Sequence, residues 1–496
     1  MTRYHTIPND ILWCIFDELV GPTPPLELSP NRFHPIDLMR NVSQVCRNWR
    51  RTALEASAIW GRLIDIAYLC GRRKRWREEI MARSKGAPLR VFGRLELKDD
   101  TTHDFLSMIV STEFQRTRVF CVHITNAKNI DLALWDPIWQ QQAPNLLSFE
   151  ISYYSPGTPF LRGGQPENWP AKVLFANRAP CLRSLTVSYG LYLPPSTSWL
   201  NGLTTLRMPS SESLNWILGV LKRTTQLKVL RLDKSERRRD LSSTNDDEIH
   251  SGYKIARTNM RSLQELGMSS ESLKKSTALL SAMELEEGVL CKAVVQCSDF
   301  DPYHHSTSMA PSDYYGSVIP TLVSDLFRKV LSSRAGTEIT GLNMTMGLYL
   351  NGIKIRAGRQ QQSTNAQWHV NYREQSFSFS LVSRTLETIP TLIPDIWESL
   401  SKLDMCNISW LHLRIDCQEA WATAPRAHLA LRTFLSQLSG LHTLSLGPDY
   451  NFEESPKDLC FVHESIRQDP QICATLKTLI FDDWFPSGST YFTALK

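Results

Sequence analysis

The sequence predicts a mixed α/β protein: a small helical block, then an irregular solenoid of stacked strand-bearing repeats with extra β-hairpins. Three observations predict it. Apolar residues recur at helical spacing from Ile11 to Trp49, with Trp60 just beyond. One short phrase, apolar-x-x-apolar-x-apolar, returns along most of the remaining chain. Asn351-Gly352 stands between two alternating apolar runs, a strong short-range hairpin signal.

Within the helical block, Pro8 suits a first helical turn and Asp10 favours the positive end of the helix dipole. Ile11, Leu12, Ile15, Phe16 and Leu19 follow at helical spacing and predict one apolar face. Gly21-Pro22-Thr23-Pro24-Pro25 ends that helix. A second helical pattern is expected from Leu38 through Met39, Val42, Val45 and Cys46 to Trp49, with Asp37 near its start. So short a block lies near the size limit for an unassisted fold, about 40 residues. It is expected to pack on its neighbour or to share apolar surface with a partner.

The residues of this block resemble the F-box family. Ile7-Pro8-x-x-Ile11-x-x-x-Ile15-Phe16-x-x-Leu19 is similar to its opening motif. Val45-Cys46-Arg47-Asn48-Trp49 is similar to its V-C-[RK]-x-W signature, and Trp60 to its closing tryptophan. Asp10 stands where the family usually has Glu, and the Pro-rich insert at about residues 20–35 is longer than the usual link. The resemblance implies binding to a Skp-family adaptor, and through it a cullin. By resemblance the adaptor-binding residues are Ile7, Pro8, Ile11, Ile15, Leu19, Leu38 and Val45, with Phe16, Trp49 and Trp60 as the F-box core. The same spacing would also fit a plain helical cap on the repeats. Arg83-Ser84-Lys85-Gly86-Ala87-Pro88-Leu89, closing a basic helix expected over Arg72–Arg83, resembles a stretch common after fungal F-boxes.

The repeated phrase occurs as Val119/Val122/Ile124, Leu146/Phe149/Ile151, Leu182/Leu185/Val187, Leu203/Leu206/Met208, Leu227/Leu230/Leu232 and Leu263/Leu266/Met268. It returns as Ile408/Leu411/Leu413, Leu441/Leu444/Leu446 and Leu476/Leu479/Phe481. The last two apolar positions are i and i+2, so both point inward from a strand. Each unit buries one face only, so neighbours must stack, as in a leucine-rich-repeat solenoid. Spacing is irregular, and the Asn that usually follows the repeat's strand is missing in most copies. The expected organisation is 1–66 for the helical block, 67–90 for a linking helix and 91–496 for the repeats, with 286–399 more divergent. In that divergent part Trp368/Val370/Tyr372 and Phe377/Phe379/Leu381 predict longer strands. Ser235–Ser251, Asp299–Gly316 and Ala357–Asn365 are expected to be polar loops.

Residues between the inward pairs point the other way and form the candidate target-binding face: Glu150, Thr186, Arg207, Arg231 and Ser445, flanked by Asp233. They are mixed in charge and name no target.

Composition and charge exclude several classes. The chain is 42% hydrophobic and 21% charged, with mean hydropathy −0.25. A net charge of +5 is too slight to argue for nucleic acid, and no apolar run approaches the roughly 18 residues of a membrane span. Eleven scattered cysteines, never spaced C-x-x-C, fit a reducing compartment, so an intracellular protein, cytoplasmic or nuclear, is expected. Nucleophile-elbow, Walker, dinucleotide and H-E-x-x-H patterns do not occur, and His304-His305 and Cys460/His463 lack companion ligands. No catalytic residues, cofactor or metal site are expected. The reading is a non-catalytic substrate receptor of a Skp–cullin–F-box ubiquitin ligase, with an unidentified protein target; the alternative is a repeat scaffold outside any ligase.

Overall fold

The computed structural model describes residues 7–21, 34–96, 100–125, 132–154, 173–187, 193–194, 196–210, 213–233, 258–270, 273–299, 312–333, 339–347, 352–362, 368–383, 389–416, 425–446, 475–481 and 490–493. The protein is mixed α/β with mostly parallel strands. Its described residues divide into two compact units, one running to Pro209 and the other from Ser210 onward. Among the described residues, no helix is long and apolar enough to cross a membrane.

The first unit begins with α1 (Asn9–Val20), α2 (Pro35–Val42), α3 (Arg47–Glu55) and α4 (Ser57–Gly61). Pro8 occupies the cap position of α1 rather than its first turn, and Asp10 lies in that turn. The helical pattern from Leu38 to Trp49 is not one helix: it breaks after Val42 and resumes at Arg47. His34 caps α2 by accepting from the Ile36 amide at 3.2 Å, with Pro35 in the first turn. Phe16 and Trp60 are fully buried, and the Trp60 indole donates to the Ala53 carbonyl at 2.7 Å. Trp49, expected in the core, is only half-buried; its ring meets Phe16 edge-on at 5.7 Å.

The helices run straight into the sheet. β1 (Ile64–Asp65) is followed by α5 (Ile66–Cys70), α6 (Lys74–Ser84) and β2 (Leu89–Glu96), and β1 pairs in parallel with β2. The Arg83 guanidinium lies over Trp60 at 4.8 Å and over Trp76 at 5.3 Å, tying α6 back to α4. α7 (Asp100–Met108), β3 (Thr117–Thr125), α8 (Asp136–Gln140), β4 (Ser148–Tyr154), β5 (Ser184–Val187) and β6 (Thr205–Pro209) complete the unit. Strands β1 to β6 are parallel neighbours in chain order. Phe120 and Phe149 stack at 5.6 Å, and Phe149 meets Phe175 edge-on at 5.1 Å, forming an aromatic spine under the strands.

The second unit contains α9 (Leu214–Leu221), β7 (Val229–Asp233), β8 (Thr258–Asn259), β9 (Glu265–Ser270), α10 (Leu273–Ala282), β10 (Met283–Glu284), β11 (Lys292–Asp299) and α11 (Ser312–Leu331). Then come β12 (Gly341–Gly347), β13 (Gly352–Gln362), β14 (Trp368–Ser383), α12 (Ile389–Leu400), β15 (Trp410–Asp416), α13 (Pro425–Ser436), β16 (Thr443–Leu446), β17 (Thr478–Phe481) and β18 (Thr490–Thr493). Its main sheet runs β7-β9-β11-β14-β13-β12-β15-β16-β17-β18, with β8 and β10 paired separately. The long β13–β14 pair is inserted between β11 and β12: β13 is antiparallel to both its neighbours, while β11–β14 and β12–β15 are parallel.

The repeated phrase marks one local structure in both units. The amide of its first residue turns back to the carbonyl three residues earlier: Leu182 to Ala179 at 3.1 Å, Leu227 to Thr224 at 3.1 Å, Leu441 to Leu438 at 2.9 Å. The next amide reaches the matching carbonyl of the preceding strand: Arg183 to Leu147 at 2.9 Å, Gln264 to Lys228 at 2.8 Å, His442 to Ser409 at 2.9 Å. The phrase's apolar residues from Leu146 to Leu446 are all buried. At the first copy the inward residues are Phe120, Val122 and Ile124, and Val119 is half-buried. Two further copies, Leu290/Ala293/Val295 and Ile339/Leu342/Met344, are buried in the same way. They lie in the stretch read as divergent, disguised by alanine and methionine.

Other expectations shift there too. Gly352 pairs with Gly347, so the β12–β13 connection is 348–351 and not a two-residue Asn351-Gly352 turn; those four residues lie outside the described set. Ala357–Gln362, read as loop, belongs to β13 because its polar residues still pair with β14. Residues 312–316, read as loop, open α11. The expected loop at Ser235–Ser251 lies outside the described residues.

Candidate functional site

Each turn of α1 carries apolar residues on two adjacent stripes, not one face. Leu12, Phe16 and Val20 are buried, with α1 packing on α2, α3 and α4. One position earlier in each case, Ile11 is 48% and Leu19 39% exposed, and Ile15 is half-buried. Ile7 is 40% exposed and Pro8 is exposed ahead of the helix; Val45, in the turn after α2, is 61% exposed. Leu38 is half-buried on α2. Trp13 and Cys14 are also exposed on α1.

The frame behind this stripe is fixed by polar contacts. Arg62 pairs with Asp17 and donates to the Gly21 carbonyl at 2.7 Å, pinning the end of α1. Thr52 donates to the Asn9 side chain at 3.1 Å, pinning its start. His34 stacks on Tyr68 at 3.7 Å and contacts Asp65 at 3.1 Å. Burial, then the Asp37 carboxylate, pushes the Tyr68 phenol up to about 12, although Arg72 opposes this.

On the strands, Glu150 and Thr186 are half-buried and Arg207 is exposed in the first unit. In the second, Arg231 is exposed, 3.8 Å from Glu265, and Asp233 is half-buried. Ser445 does not belong to an accessible face. It is buried, and its small hydroxyl sits 2.9 Å from the larger His412 imidazole of the neighbouring strand.

Around Glu150 the strands assemble a cluster that the sequence motifs do not reveal. Cys121 and His123 sit two apart on β3, and parallel register sets Cys121 beside Glu150 and His123 beside Ser152. The Cys121 thiol donates to Glu150 Oε2 at 3.3 Å and lies 3.6 Å from His123 Nε2, which is 3.9 Å from Glu150 Oε1. Nδ1 of the same ring is hydrogen-bonded to Ser152 Oγ. Burial, with the charge and hydrogen bond of Glu150, raises the Cys121 pKa far above its ordinary value. Burial lowers that of His123; Glu150 opposes the shift, and Arg94 and Arg207 reinforce it. Cys-x-His inside a strand is the available signal, but its partner depends on register. Aligning the repeated phrases puts His123 beside Glu150, two residues from the true register.

A scan against protein-family models gives no match, and a search of the curated proteins gives none either.

Proposed function

We propose that this protein is a non-catalytic substrate-recognition subunit of a Skp–cullin–F-box ubiquitin ligase. In this reading α1 to α4 form an F-box, and Ile7, Pro8, Ile11, Ile15, Leu19, Leu38 and Val45 grip a Skp-family adaptor. The stacked strands form an irregular leucine-rich-repeat solenoid whose outward residues, Glu150, Thr186, Arg207, Arg231 and Asp233 among them, are offered to a target protein. The protein makes and breaks no bonds itself; it raises the effective concentration of target lysines near a ubiquitin-loaded enzyme.

One observation carries the reading. The helical block fills its own core with Leu12, Phe16, Ile36, Met39 and Trp60 and still leaves Ile7, Ile11, Leu19 and Val45 facing solvent. Several half-exposed aliphatic side chains on one short, well-packed block support a partner surface. Those residues are the ones the F-box resemblance assigns to the adaptor.

The test is co-purification of the full chain with a Skp-family adaptor, comparing wild type with Ile11→Ala/Leu19→Ala. Buried anchors of this kind cost more than about 1 kcal/mol each, so the pair is expected to lower affinity by tenfold or more without unfolding the chain. A folded wild type that does not bind the adaptor overturns the reading. Adaptor binding without cullin recruitment or ubiquitin transfer leaves a repeat scaffold in its place.

A further inference from the structure

We propose that Cys121, His123 and Glu150 bind one Zn²⁺ ion on the outward side of β3 and β4, with a solvent water as the fourth ligand. This site is independent of the adaptor reading.

The donor set is the first argument. A thiolate, an imidazole and a carboxylate form a combination that a borderline-soft cation takes and that Mg²⁺ or Ca²⁺ does not. Among the described residues, these three are the group of His, Cys and acidic side chains whose donor atoms all lie within 4.8 Å of one another.

Geometry is the second argument. Zinc bond lengths of about 2.0–2.3 Å at a tetrahedral centre require donor atoms about 3.4–3.6 Å apart. Cys121 Sγ stands 3.6 Å from His123 Nε2 and 3.3 Å from Glu150 Oε2, while His123 Nε2 is 3.9 Å from Glu150 Oε1. One donor atom from each residue fits within 4.8 Å, so side-chain adjustments close the site. The ligands sit on paired strands, which hold them in register without a loop having to order.

The outer contacts agree. A His ligand is normally oriented by a hydrogen bond from its other nitrogen. Here the hydrogen bond between Nδ1 and Ser152 Oγ fixes the ring with Nε2 toward Cys121 and Glu150; with an ion on Nε2, Nδ1 would carry the proton and donate it. The His123 and Glu150 side chains keep 25% and 23% of their surface exposed, enough for an ion to enter. Arg94 and Arg207 oppose a cation, but thiolate and carboxylate together carry the charge that neutralises Zn²⁺.

Proton balance follows. Without the ion, the Cys121 thiol donates its proton in a hydrogen bond to Glu150 Oε2. Forming the Zn–S bond sends the Cys121 proton to solvent. Ion binding therefore releases that proton, and affinity falls as pH drops.

The test uses the full chain stripped with a chelator and titrated with Co²⁺, then Zn²⁺. Expected is one Co²⁺ per chain with a thiolate-to-cobalt charge-transfer band, erased by one equivalent of Zn²⁺. Cys121→Ser should remove the band, and Glu150→Gln should weaken binding by about a hundredfold or more. Ser152→Ala, acting only through the ring, should cost about tenfold. Circular dichroism checks folding; if Cys121→Ser fails to fold, the shape-conserving Glu150→Gln decides the question in its place. A band that survives Cys121→Ser in a folded chain, Glu150→Gln binding as tightly as wild type, or a folded wild type that binds no stoichiometric Co²⁺ or Zn²⁺, overturns the site.

Discussion

In α1, Leu12, Phe16 and Val20 are buried while Ile11 and Leu19, one position away from them, face solvent. In β4, β5 and β6 the aliphatic and aromatic residues of the repeated phrase are buried, and the positions between them are Glu150, Thr186 and Arg207. The two regions draw on the same residue types with different results. A strand alternates with period two, so in β4, β5 and β6 one side takes the apolar residues of the phrase and the other the polar residues between them. A helix turns 100° per residue and can carry a second apolar stripe beside the first. The strands have used their apolar surface on one another. The helices have not, and covering the 48% of Ile11 or 39% of Leu19 that is still exposed is worth about 1 kcal/mol each to whatever covers it.

The largest expected effects come from residues that both regions bury. Phe16→Ala and Phe149→Ala should each cost about 3–5 kcal/mol in denaturant unfolding, since each leaves a cavity behind a fully buried ring. A much smaller loss for Phe16→Ala would mean the helical block lacks a core of its own, and the contrast between the stripes would collapse.

Next is the stacking of the repeated turns. A Cβ at Gly440, just before Leu441, would meet the Cys406 carbonyl, just before the preceding copy at Ile408. Gly440→Ala should therefore cost about 1–3 kcal/mol, because backbone rather than a movable side chain must yield. A neutral result would show that these turns do not pack as tightly as the repeated hydrogen bonds require.

Ile11→Ala should change stability by no more than about 0.5 kcal/mol, the usual range for surface positions. Set against Phe16→Ala, it separates the outward stripe from the core one turn of the helix away. A large loss would mean that Ile11 belongs to the internal core.

A last effect lies in alkali. The Tyr68 phenol has an ordinary pKa of 10.0 and a folded value of about 12. Below pH 10 it is protonated in both states and adds no slope. Between pH 10 and about 12 the unfolded chain ionises first, so stability falls as pH rises. Tyr68→Phe should make that decline shallower in denaturant titrations at stepped pH; an unchanged slope would show that the ring by His34 is not held as described.

Much of this was legible in the sequence. The phrase positions Leu182/Leu185/Val187 or Leu441/Leu444/Leu446 required only the period of a strand to be read as inward. Proline, glycine and the spacing of Leu12, Phe16 and Leu19 likewise located α1. Which of two neighbouring apolar stripes is inside was not legible, because spacing alone does not say where α2, α3 and α4 will lie. The break between Val42 and Arg47 escaped for a similar reason: Val45 continues the helical pattern while sitting in a turn.

By itself, then, the sequence determined the alternation of faces, the recurrence of the turn-and-strand unit and the helical start, since all three follow from local periodicity. Tertiary structure alone decided three things. It buried Ser445 under the neighbouring strand's His412, inserted β13 and β14 between β11 and β12, and brought Cys121 and His123 beside Glu150. Each depends on the register between strands roughly thirty residues apart or more, which local periodicity leaves free to slide.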